Sequence, residues 1–410
     1  MGGSGSSLKR DYFWNTLGSV MNAASSVILL LVTTRVMGEY WAGIFSIAYA
    51  VGQQFQTVGA FEMRPLQSTD VEGRYSFSTY FASRILTTLC MLFCIVGYAI
   101  FSGNAPGEMV LVALIAGLKL FDVFEDVFHG AFQQNERLDI AGRAFFFRSL
   151  ATTLAFVILL ALTRDLGVTC VMTAIISVIA LMTLNLPPFR SLLGPLERLD
   201  LRSVGSLIVA CLPLFAGAFL ALYLSNAPKF GLDAAFSKEY QTYYAAIFMP
   251  ALAINLLSTF VFRPLLTRLG LRWHEGDRKG FLSVIRKGLF WVLAAAVLMA
   301  ILGYFLGIPV LNAFFGLDLS SFRGELMVLI LGGALNAAGI VLYYGLVVMK
   351  RQRLILIGYA IAAVLTFLAA QPLIGLLGMM GAAILYTLSM SLVACAFGVF
   401  FAFGLREAFQ

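Results

Sequence analysis

The sequence predicts an all-α membrane protein that crosses the bilayer twelve times, with its helices in two lobes of six. Three observations lead to this prediction. Hydrophobic residues make up 60% of the 410-residue chain and charged residues only 12%, which is about half the charged fraction of ordinary soluble domains. Apolar runs long enough to span a bilayer recur along the whole chain. Lysine and arginine collect in alternate connections between these runs.

Each apolar run is interpreted as a helix, because about 20 apolar residues cross ~30 Å of hydrocarbon and because a helix satisfies its own backbone hydrogen bonds in lipid. The first six spans are assigned to one lobe and the last six to the other. The predicted spans have their cores at 12–37, 41–62, 79–102, 107–132, 140–162, 167–185, 202–225, 240–262, 281–304, 322–349, 354–373 and 376–404.

The distribution of basic residues predicts the orientation. If the N-terminus and every second loop face one side, that side holds 22 of the 28 lysines and arginines. Because cytoplasmic loops carry the excess of these residues, both termini are expected in the cytoplasm. The net charge of +7 therefore follows from topology and gives no reason to expect a nucleic-acid partner. Lys119 lies within a span, and the opposite side holds Arg35, Arg164, Lys229, Lys238 and Arg323.

Two short patterns recur six spans apart. F-x-x-R-P occurs at 61–65 and at 260–264, and R-L-x-[I/L]-x-G-x-A occurs at 137–144 and at 353–360. Patterns that recur in the same order indicate an internal repeat. Because each repeat has an even number of spans, both lobes enter the membrane in the same direction. A pseudo-two-fold axis along the membrane normal and a substrate site between the lobes are therefore expected.

The repeat places the first lobe at 9–185 and the second lobe at 201–405. The segment 186–200 contains three prolines and four charges, which is typical of a cytoplasmic linker between lobes. Residues 1–8, MGGSGSSL, have the composition of a flexible Gly/Ser linker that is foreign to the natural protein. Gly2 and Ser6 also fit the pattern for N-myristoylation.

Residues 119–136, KLFDVFEDVFHGAFQQNE, place several ionisable groups inside the fourth span. At 100° per residue the polar side chains share one arc of about 120°, and apolar side chains occupy the rest. A charge at the centre of a span costs ~2.5–3.5 kcal/mol, so four charges cost on the order of 10 kcal/mol, against about 4 returned by the apolar face. This polar arc must therefore face protein or water. Its ionisable members between 119 and 129 are Lys119, Asp122, Glu125, Asp126 and His129.

Two compatible interpretations of the polar arc remain. In the first, its residues couple or gate transport, since carboxylates on adjacent turns raise each other's proton affinity and ionisable groups in spans are commonly functional. In the second, the arc is a structural lattice of ion pairs. A lattice that rearranges serves both purposes. The pairs expected in it are Lys119 with Asp122, and Arg84 or Arg148 with Glu125 or Asp126.

Cationic and amide side chains of other spans are candidate substrate-binding groups. Arg64 and Arg263 occupy matching repeat positions, so we expect them to hold a phosphate from both lobes through their bidentate forks. The plainer interpretation is that each one anchors a helix end at the cytoplasmic surface. Polar side chains in spans also serve helix packing. The other candidates are Arg84, Arg148, Gln53, Gln56, Asn22 and Asn255.

The sequence contains no motif typical of an enzyme, such as a P-loop or a nucleophile elbow. Its five cysteines lie in apolar spans and are expected to be small buried hydrophobic residues. With two histidines, His129 and His274, and no metal-ligand spacing, neither a metal nor a cofactor is expected. The longest outer loop, predicted at 226–239, has fourteen residues and is too short for an extramembrane catalytic domain.

Several segments resemble the polysaccharide flippases of the MOP superfamily. These are the Wzx-type transporters of lipid-linked oligosaccharides, relatives of the lipid II flippase and of the MATE exporters. The resemblance rests on Arg35-x-x-Gly38-x-x-x-x-Gly43 and on the segments 62–65, 137–144 and 226–250, and it extends over 9–405. It implies a MATE-like pair of helix bundles that opens alternately to the two sides of the membrane. It also implies a substrate with an undecaprenyl-type lipid, a phosphate or pyrophosphate, and a short glycan or teichoic-acid repeat.

The resemblance implies a flippase of the bacterial cytoplasmic membrane and not an enzyme. The implied partners are the lipid-linked glycan, membrane lipids, and glycan polymerases or glycosyltransferases; coupling to H⁺ or Na⁺ is left open. The segment 119–129 departs from what an anionic substrate leads us to expect, because its one lysine and three carboxylates give a formal charge of −2. A cation-coupled drug exporter of the MATE type is therefore the alternative. The short outer loops disfavour a polytopic polymerase.

Overall fold

The computed structural model describes residues 4–70, 72–193, 199–262 and 265–408. Within these ranges the chain forms helices joined by turns and has no strand. Eight of the helices are long and apolar enough to cross a membrane, so the all-helical, multi-pass fold class is confirmed. The chain divides into two compact units, Met1–Phe219 and Leu220–Gln410.

The first unit is built from eight helices and the first part of a ninth. They are α1 (Ser4–Met37), α2 (Glu39–Ala60), α3 (Met63–Thr69), α4 (Phe77–Phe101), α5 (Pro106–Gly117), α6 (Lys119–Gln134), α7 (Leu138–Thr163), α8 (Leu166–Leu193) and α9 (Leu201–Ala235), of which the residues after 219 belong to the second unit. α1 packs along α7, and α2 packs against α4 and α5. α6 contacts α3, α4, α7 and α8, so it occupies a central position in this unit.

The second unit continues with seven helices. They are α10 (Lys238–Ile247), α11 (Met249–Phe262), α12 (Leu265–His274), α13 (Arg278–Leu302), α14 (Ile308–Phe315), α15 (Arg323–Val348) and α16 (Gln352–Ala408). A π-helical turn at Gly303–Gly307 joins α13 to α14, and α15 packs against α11, α13 and α16. α16 is kinked at Gly378, where φ is 58° and ψ is −129°, a conformation that glycine alone adopts readily. The kink separates the predicted spans at 354–373 and 376–404.

The eight long helices account for nine of the twelve predicted spans, because α16 contains two of them. The other three predicted spans are also helical. The span at 41–62 corresponds to α2, the span at 107–132 to α5 and α6, and the span at 240–262 to α10 and α11. Single residues, Leu118 and Phe248, interrupt the last two. That these three segments cross the membrane stays a prediction.

Two predicted connections are helical instead. α8 continues through Pro187 and Pro188 to Leu193, so the first half of the predicted linker at 186–200 is helix; residues 194–198 lie outside the described residues. α9 continues to Ala235, so the prediction of an outer loop at 226–239 was wrong. Only residues 236 and 237 separate α9 from α10. Helices of membrane proteins tolerate proline and polar residues where neighbouring groups satisfy the backbone. The lobe boundaries at 9–185 and 201–405 stay predictions.

The ends of the chain and its cysteines also differ from expectation. α1 begins at Ser4, so the second half of the expected flexible linker at 1–8 is helical. Cys170 and Cys211 are buried as expected, but Cys90 and Cys395 are exposed, because an apolar helix that crosses a membrane has side chains on its outer face as well. Among the described residues, no group of three or more His, Cys, Asp or Glu is placed to hold a metal ion.

α1 and α7 approach each other closely at Gly142. A methyl group at Gly142 would lie 2.5 Å from the carbonyl carbon of Trp14 and 2.6 Å from the backbone nitrogen of Asn15. Small residues allow the backbones of membrane helices to come this near. Gly142 belongs to the repeated pattern at 137–144, so part of that pattern reflects helix packing.

We expect Gly142→Ala to lower the melting temperature, because the added methyl group has no space against the backbone of α1. Overpacking of this kind costs ~1–3 kcal/mol. The control is Gly97→Ala in α4, where nothing lies within 4 Å of the added methyl group and where alanine favours a helix by ~0.5–1 kcal/mol. Thermal unfolding of the purified protein in detergent measures both variants, and equal melting temperatures would contradict the close contact.

Candidate functional site: a charge network around helix α6

The polar arc of residues 119–136 forms a connected charge network on α6. The helix begins at Lys119, directly after the interruption at Leu118. Lys119, Glu125 and His129 are buried, while the side chains of Asp122 and Asp126 keep 13% and 21% of their surface exposed. The arc therefore faces protein, as its cost in lipid required.

The first part of the network joins α6 to α7 through Arg148. Nζ of Lys119 lies 2.9 Å from Oδ2 of Asp122 and 4.6 Å from the ring centre of Tyr49 on α2. Nη2 of Arg148 donates to Oδ1 of Asp122 at 2.5 Å, and its Nε donates to Oε2 of Glu125 at 2.7 Å. One guanidinium therefore holds carboxylates from adjacent turns through charge-assisted hydrogen bonds, which offset their mutual repulsion.

Glu125 has two further polar neighbours. Nδ2 of Asn185 on α8 donates to Oε1 of Glu125 at 3.3 Å, and Nε2 of His129 lies 3.6 Å from the same oxygen. This last distance is too long for a hydrogen bond, and Nε2 of His129 has no hydrogen-bond partner among the described residues. His129 and Glu125 are therefore adjacent without being hydrogen-bonded.

The second part of the network joins α6 to α3 and α4 through Asp126. Nη2 of Arg84 donates to Oδ2 of Asp126 at 2.9 Å, and its Nη1 donates to the carbonyl of Gly59 at 2.8 Å. Nη1 of Arg64 donates to Oδ1 of Asp126 at 3.3 Å, and its Nε donates to Oε1 of Gln133 at 3.4 Å. The side chain of Arg84 is fully buried, whereas that of Arg64 is 30% exposed. Asp126 therefore bridges one inaccessible arginine and one accessible arginine.

The turn between α2 and α3 directs Arg64 toward α6. Phe61 and Glu62 both adopt the left-handed conformation, with φ of 46° and 49°, and each such non-glycine residue costs ~1–3 kcal/mol. The ring of Phe61 stacks on that of Phe215, with centres 4.3 Å apart, which helps to hold the turn. Glu62 lies within electrostatic reach of Asp126 and Arg84. It is a member of the network that the periodicity of α6 alone does not reveal.

A polar cavity of about 60 Å³ lies beside the Arg148 end of the network. This volume accommodates a few water molecules and not a sugar ring. The charged groups on its wall are Lys119, Asp122 and Arg148, and the predicted candidate Asn22 also lines it. The rest of the wall is formed by two leucines and by residues with a hydroxyl group, namely Leu29, Leu118, Ser25, Tyr49, Ser149, Thr152, Thr153, Thr173 and Ser177. The network is therefore next to a space for water within the first unit.

The two predicted glutamines of α2 are not part of the charge network. Gln53 and Gln56 are half-buried, and the buried amide of this helix is instead that of Gln54, whose Nε2 donates to the carbonyl of Phe219 at 3.1 Å. Another buried amide, Gln67 on α3, donates to the carbonyl of Val127 on α6 at 3.2 Å. Sequence analysis missed both, because a single buried glutamine has no distinguishing pattern.

Of the two predicted candidates in the second unit, only Asn255 lies among the described residues. Nδ2 of Asn255 on α11 donates to the hydroxyl of Tyr386 on α16 at 3.3 Å, so its structural role is to join these two helices. Arg263 lies outside the described residues. Its pairing with Arg64 across a phosphate therefore stays a prediction.

Neighbouring helices supply the positive charge that α6 lacks. The carboxylates of α6 are met by Lys119 from α6 itself and by Arg64, Arg84 and Arg148 from α3, α4 and α7. The formal charge of −2 on 119–129 is thus compensated within the first unit. This is the ion-pair lattice that the sequence left open. Rearrangement requires that each charge exchange one partner for another, because a buried unpaired charge costs several kcal/mol.

We expect Asp126→Asn to destabilise the protein, because Arg84 would be left buried without an anion. Removing one partner of a buried pair costs ~3–5 kcal/mol, whereas replacing both partners is often nearly neutral. The melting temperature in detergent should therefore fall in Asp126→Asn and recover in Asp126→Asn combined with Arg84→Gln. The exposed residue Glu275 provides the control, Glu275→Gln. A single variant that melts like the wild type would show that this pair does not hold α4 to α6.

Comparison with known sequences gives one informative relative. No family model matches the chain. The chain is similar to the capsular polysaccharide biosynthesis protein CapF of Staphylococcus aureus, with 18% identity over 401 residues that cover 96% of this chain and 98% of the relative. The similarity therefore runs from end to end and includes both units.

Solved structures share the fold over nearly the whole chain. An inward-facing multidrug resistance MATE family transporter of the MOP superfamily superposes with a TM-score of 0.67 at 13% identity, covering 96% of this chain and 95% of the other. A eukaryotic MATE transporter gives 0.63 at 11%, with 98% of both chains covered. A MOP superfamily transporter of Pyrococcus furiosus gives 0.61 at 16%, covering 98% and 96%. The chain therefore shares the all-helical fold of these transporters, as its sequence resemblance implied.

Proposed function

We propose that this chain is a flippase for a lipid-linked oligosaccharide or teichoic-acid precursor. It moves the precursor, carried on an undecaprenyl-type phosphate or pyrophosphate, from the inner to the outer leaflet by alternating access. The observation that carries the proposal is the end-to-end similarity to a capsular polysaccharide biosynthesis protein, which coincides with a transporter fold. A glycan cannot enter hydrocarbon without losing its hydrogen bonds to water, and intramembrane ionisable groups commonly mark a protein-lined path.

The proposed setting is the bacterial cytoplasmic membrane, with both termini in the cytoplasm. The excess of Lys and Arg in the predicted cytoplasmic connections supports this orientation. Glycosyltransferases or a glycan polymerase are the proposed partners, because a flipped precursor has to be assembled on one side of the membrane and used on the other.

Arg64 is the network residue best suited to contact the anionic part of the substrate. Its side chain is 30% exposed, and its hydrogen bonds of 3.3 and 3.4 Å are longer than those of Arg84 and Arg148. Arg84 and Arg148 are buried and bound to carboxylates. We therefore assign these two a role in holding the helices that carry Arg64, and not direct contact with substrate.

The carboxylates of α6 and His129 are the proposed coupling or gating element. Asp126 is shared between Arg84 and Arg64, so a phosphate that captures Arg64 would leave Asp126 with Arg84 alone. Protonation of a carboxylate, or binding of Na⁺ to it, would release its arginine in the same way. The network thus provides a route by which substrate and a cation compete for the same partners.

A cation-coupled exporter of the MATE type is the second candidate. It is favoured by the solved structures, which include a multidrug resistance MATE transporter. A cationic drug requires a carboxylate that is not already neutralised. Asp122, Glu125 and Asp126 each lie within ion-pair distance of an arginine, and this arrangement favours the flippase.

We expect Arg64→Ala to abolish export of the glycan at normal protein level, because the cation that faces the phosphate is removed. Arg64→Lys should restore transport only in part, since the bidentate fork is lost. The assay is outward transfer of a labelled lipid-linked oligosaccharide in proteoliposomes, with a fluorescent organic cation as the competing substrate. Arg74→Ala, at an exposed position near α3, is the control.

The same assay applied to Arg263→Ala tests the predicted partner in the second unit. Normal transport by both alanine variants would rule out a phosphate contact at these positions. Export of the organic cation, with no transfer of the oligosaccharide by the wild type, would favour the exporter.

We expect Glu125→Gln to uncouple transport from an ion gradient without unfolding the protein. Glutamine keeps one oxygen for Arg148, which also stays bound to Asp122. It gives up the second oxygen, which accepts from Asn185, and it can no longer be charged or take up a proton. Oligosaccharide transfer is measured with an imposed proton or sodium gradient, and melting temperature is measured in parallel. If the wild type ignores both gradients and the variant transports normally, the network is purely structural.

A further inference from the structure

The second unit contains a lysine whose charge is not balanced by a carboxylate. Asn226, Lys229 and Asp233 share one face of α9, within about 60° at 100° per residue. Asp233 is already paired, because Nζ of Lys238 at the start of α10 lies 2.6 Å from its Oδ1 and both side chains are largely buried. Lys229 forms no ion pair with any described residue, although it lies half-buried in α9.

Two side chains near Lys229 in the chain or in contact with it bear on its role: Asn226, which has an unused donor, and Gln241, which fixes the backbone of Lys229. Asn226, one turn before Lys229, is 5% exposed, and its Nδ2 donates to no atom of the described residues. Nε2 of the buried Gln241 on α10 donates to the backbone carbonyl of Lys229 at 2.6 Å. Gln241 thus holds the backbone of Lys229, the residue directly after Pro228.

Among the described residues, the buried amide nitrogen of Asn226 has no acceptor and the partly buried Lys229 has no carboxylate partner. A buried donor without an acceptor is destabilising, and a desolvated ammonium without an anion is more so. Water can serve one amide, but an ammonium and an amide side by side on a helix face match the oxygens of an anion.

We propose that Lys229 and Asn226 form an anion-binding site in the second unit, that its ligand is a phosphate group, and that Gln241 positions Lys229. The ammonium of Lys229 and the amide of Asn226 each donate a hydrogen bond to a different phosphate oxygen. The ammonium also supplies the positive charge, and the amide fixes the orientation of the phosphate. A metal ion or an organic cation does not fit, because the nearby Asp233 is occupied by Lys238. That this phosphate belongs to the lipid-linked precursor rests on the proposed function. That the site binds phosphate does not.

The test is phosphate binding by the purified protein in detergent. Binding is measured as the rise in melting temperature at increasing concentrations of inorganic phosphate and constant ionic strength. Wild type should be stabilised in a saturable way. Lys229→Gln should raise the dissociation constant about tenfold or more, and Lys229→Arg should keep most of the affinity, because the charge is retained. Lys279→Gln is the control. It removes a lysine of the same unit, but an exposed one on α13, so the affinity should stay within about twofold of wild type.

Asn226→Ala gives an independent measurement, because it removes a donor that bonds to none of the described residues. It should fold normally and bind phosphate more weakly than wild type. Nanodiscs of phosphatidylcholine with or without phosphatidic acid then separate a lipid-borne phosphate from a free one. The proposal is overturned if wild type shows no saturable stabilisation by either form of phosphate, or if Lys229→Gln and Asn226→Ala bind it as wild type does.

Transport of the lipid-linked oligosaccharide separates this site from the proposed function. Phosphate binding that depends on Lys229, in a protein that transfers no oligosaccharide, supports the site and contradicts the flippase. Loss of both binding and transfer in Lys229→Gln supports both. Normal transfer by a variant that no longer binds phosphate contradicts the assignment of the site to the substrate.

Discussion

The carboxylates that α6 carries into the interior have to be met by positive charges, and most of these charges come from other helices. Its three carboxylates would keep the helix out of a bilayer if they faced lipid. They are tolerated because Arg148 reaches them from α7 and Arg84 and Arg64 from α4 and α3. The pairing in turn fixes how these helices pack. It also gives a reason for the left-handed backbone conformation of Phe61 and Glu62, since the turn that they form brings Arg64 to Asp126.

The same constraint makes the network suitable for switching. Buried ion pairs add little stability compared with apolar packing of equal volume, but breaking one is costly. The members of such a lattice therefore exchange partners instead of separating. The exposed fraction of the side chain increases in the order Arg84, Asp126, Arg64. Asp126 lies 2.9 Å from Arg84 and 3.3 Å from Arg64. Exchange is therefore easiest at Arg64, the end of the network that a ligand can reach.

Features encoded locally were predictable from sequence, and features that depend on tertiary neighbours were not. The polar arc of α6 follows from helical periodicity, and Arg84 and Arg148 were recognised as partners because their depth in neighbouring spans matched. Asn185, Gln54 and Glu62 were missed, because what distinguishes them is the atom they face across a helix contact. Hydropathy also misjudged α8 and α9, whose helices continue through Pro187 and Pro228; the signal for a loop and the signal for a polar interior stretch of helix are the same.

The internal repeat preserves packing better than it preserves chemistry. Gly142 and Gly358 occupy the same place in the repeated pattern, and an added methyl group would clash at both, with backbone of α1 in the first unit and with Phe397 in the second. The charged arc has no such counterpart, since α15, the helix six spans after α6, carries no ionisable residue between Glu325 and Lys350 apart from tyrosines. The second unit instead has Lys229, a cation without an ion-pair partner among the described residues. The two units thus share a close glycine contact in this pattern but differ in their polar groups.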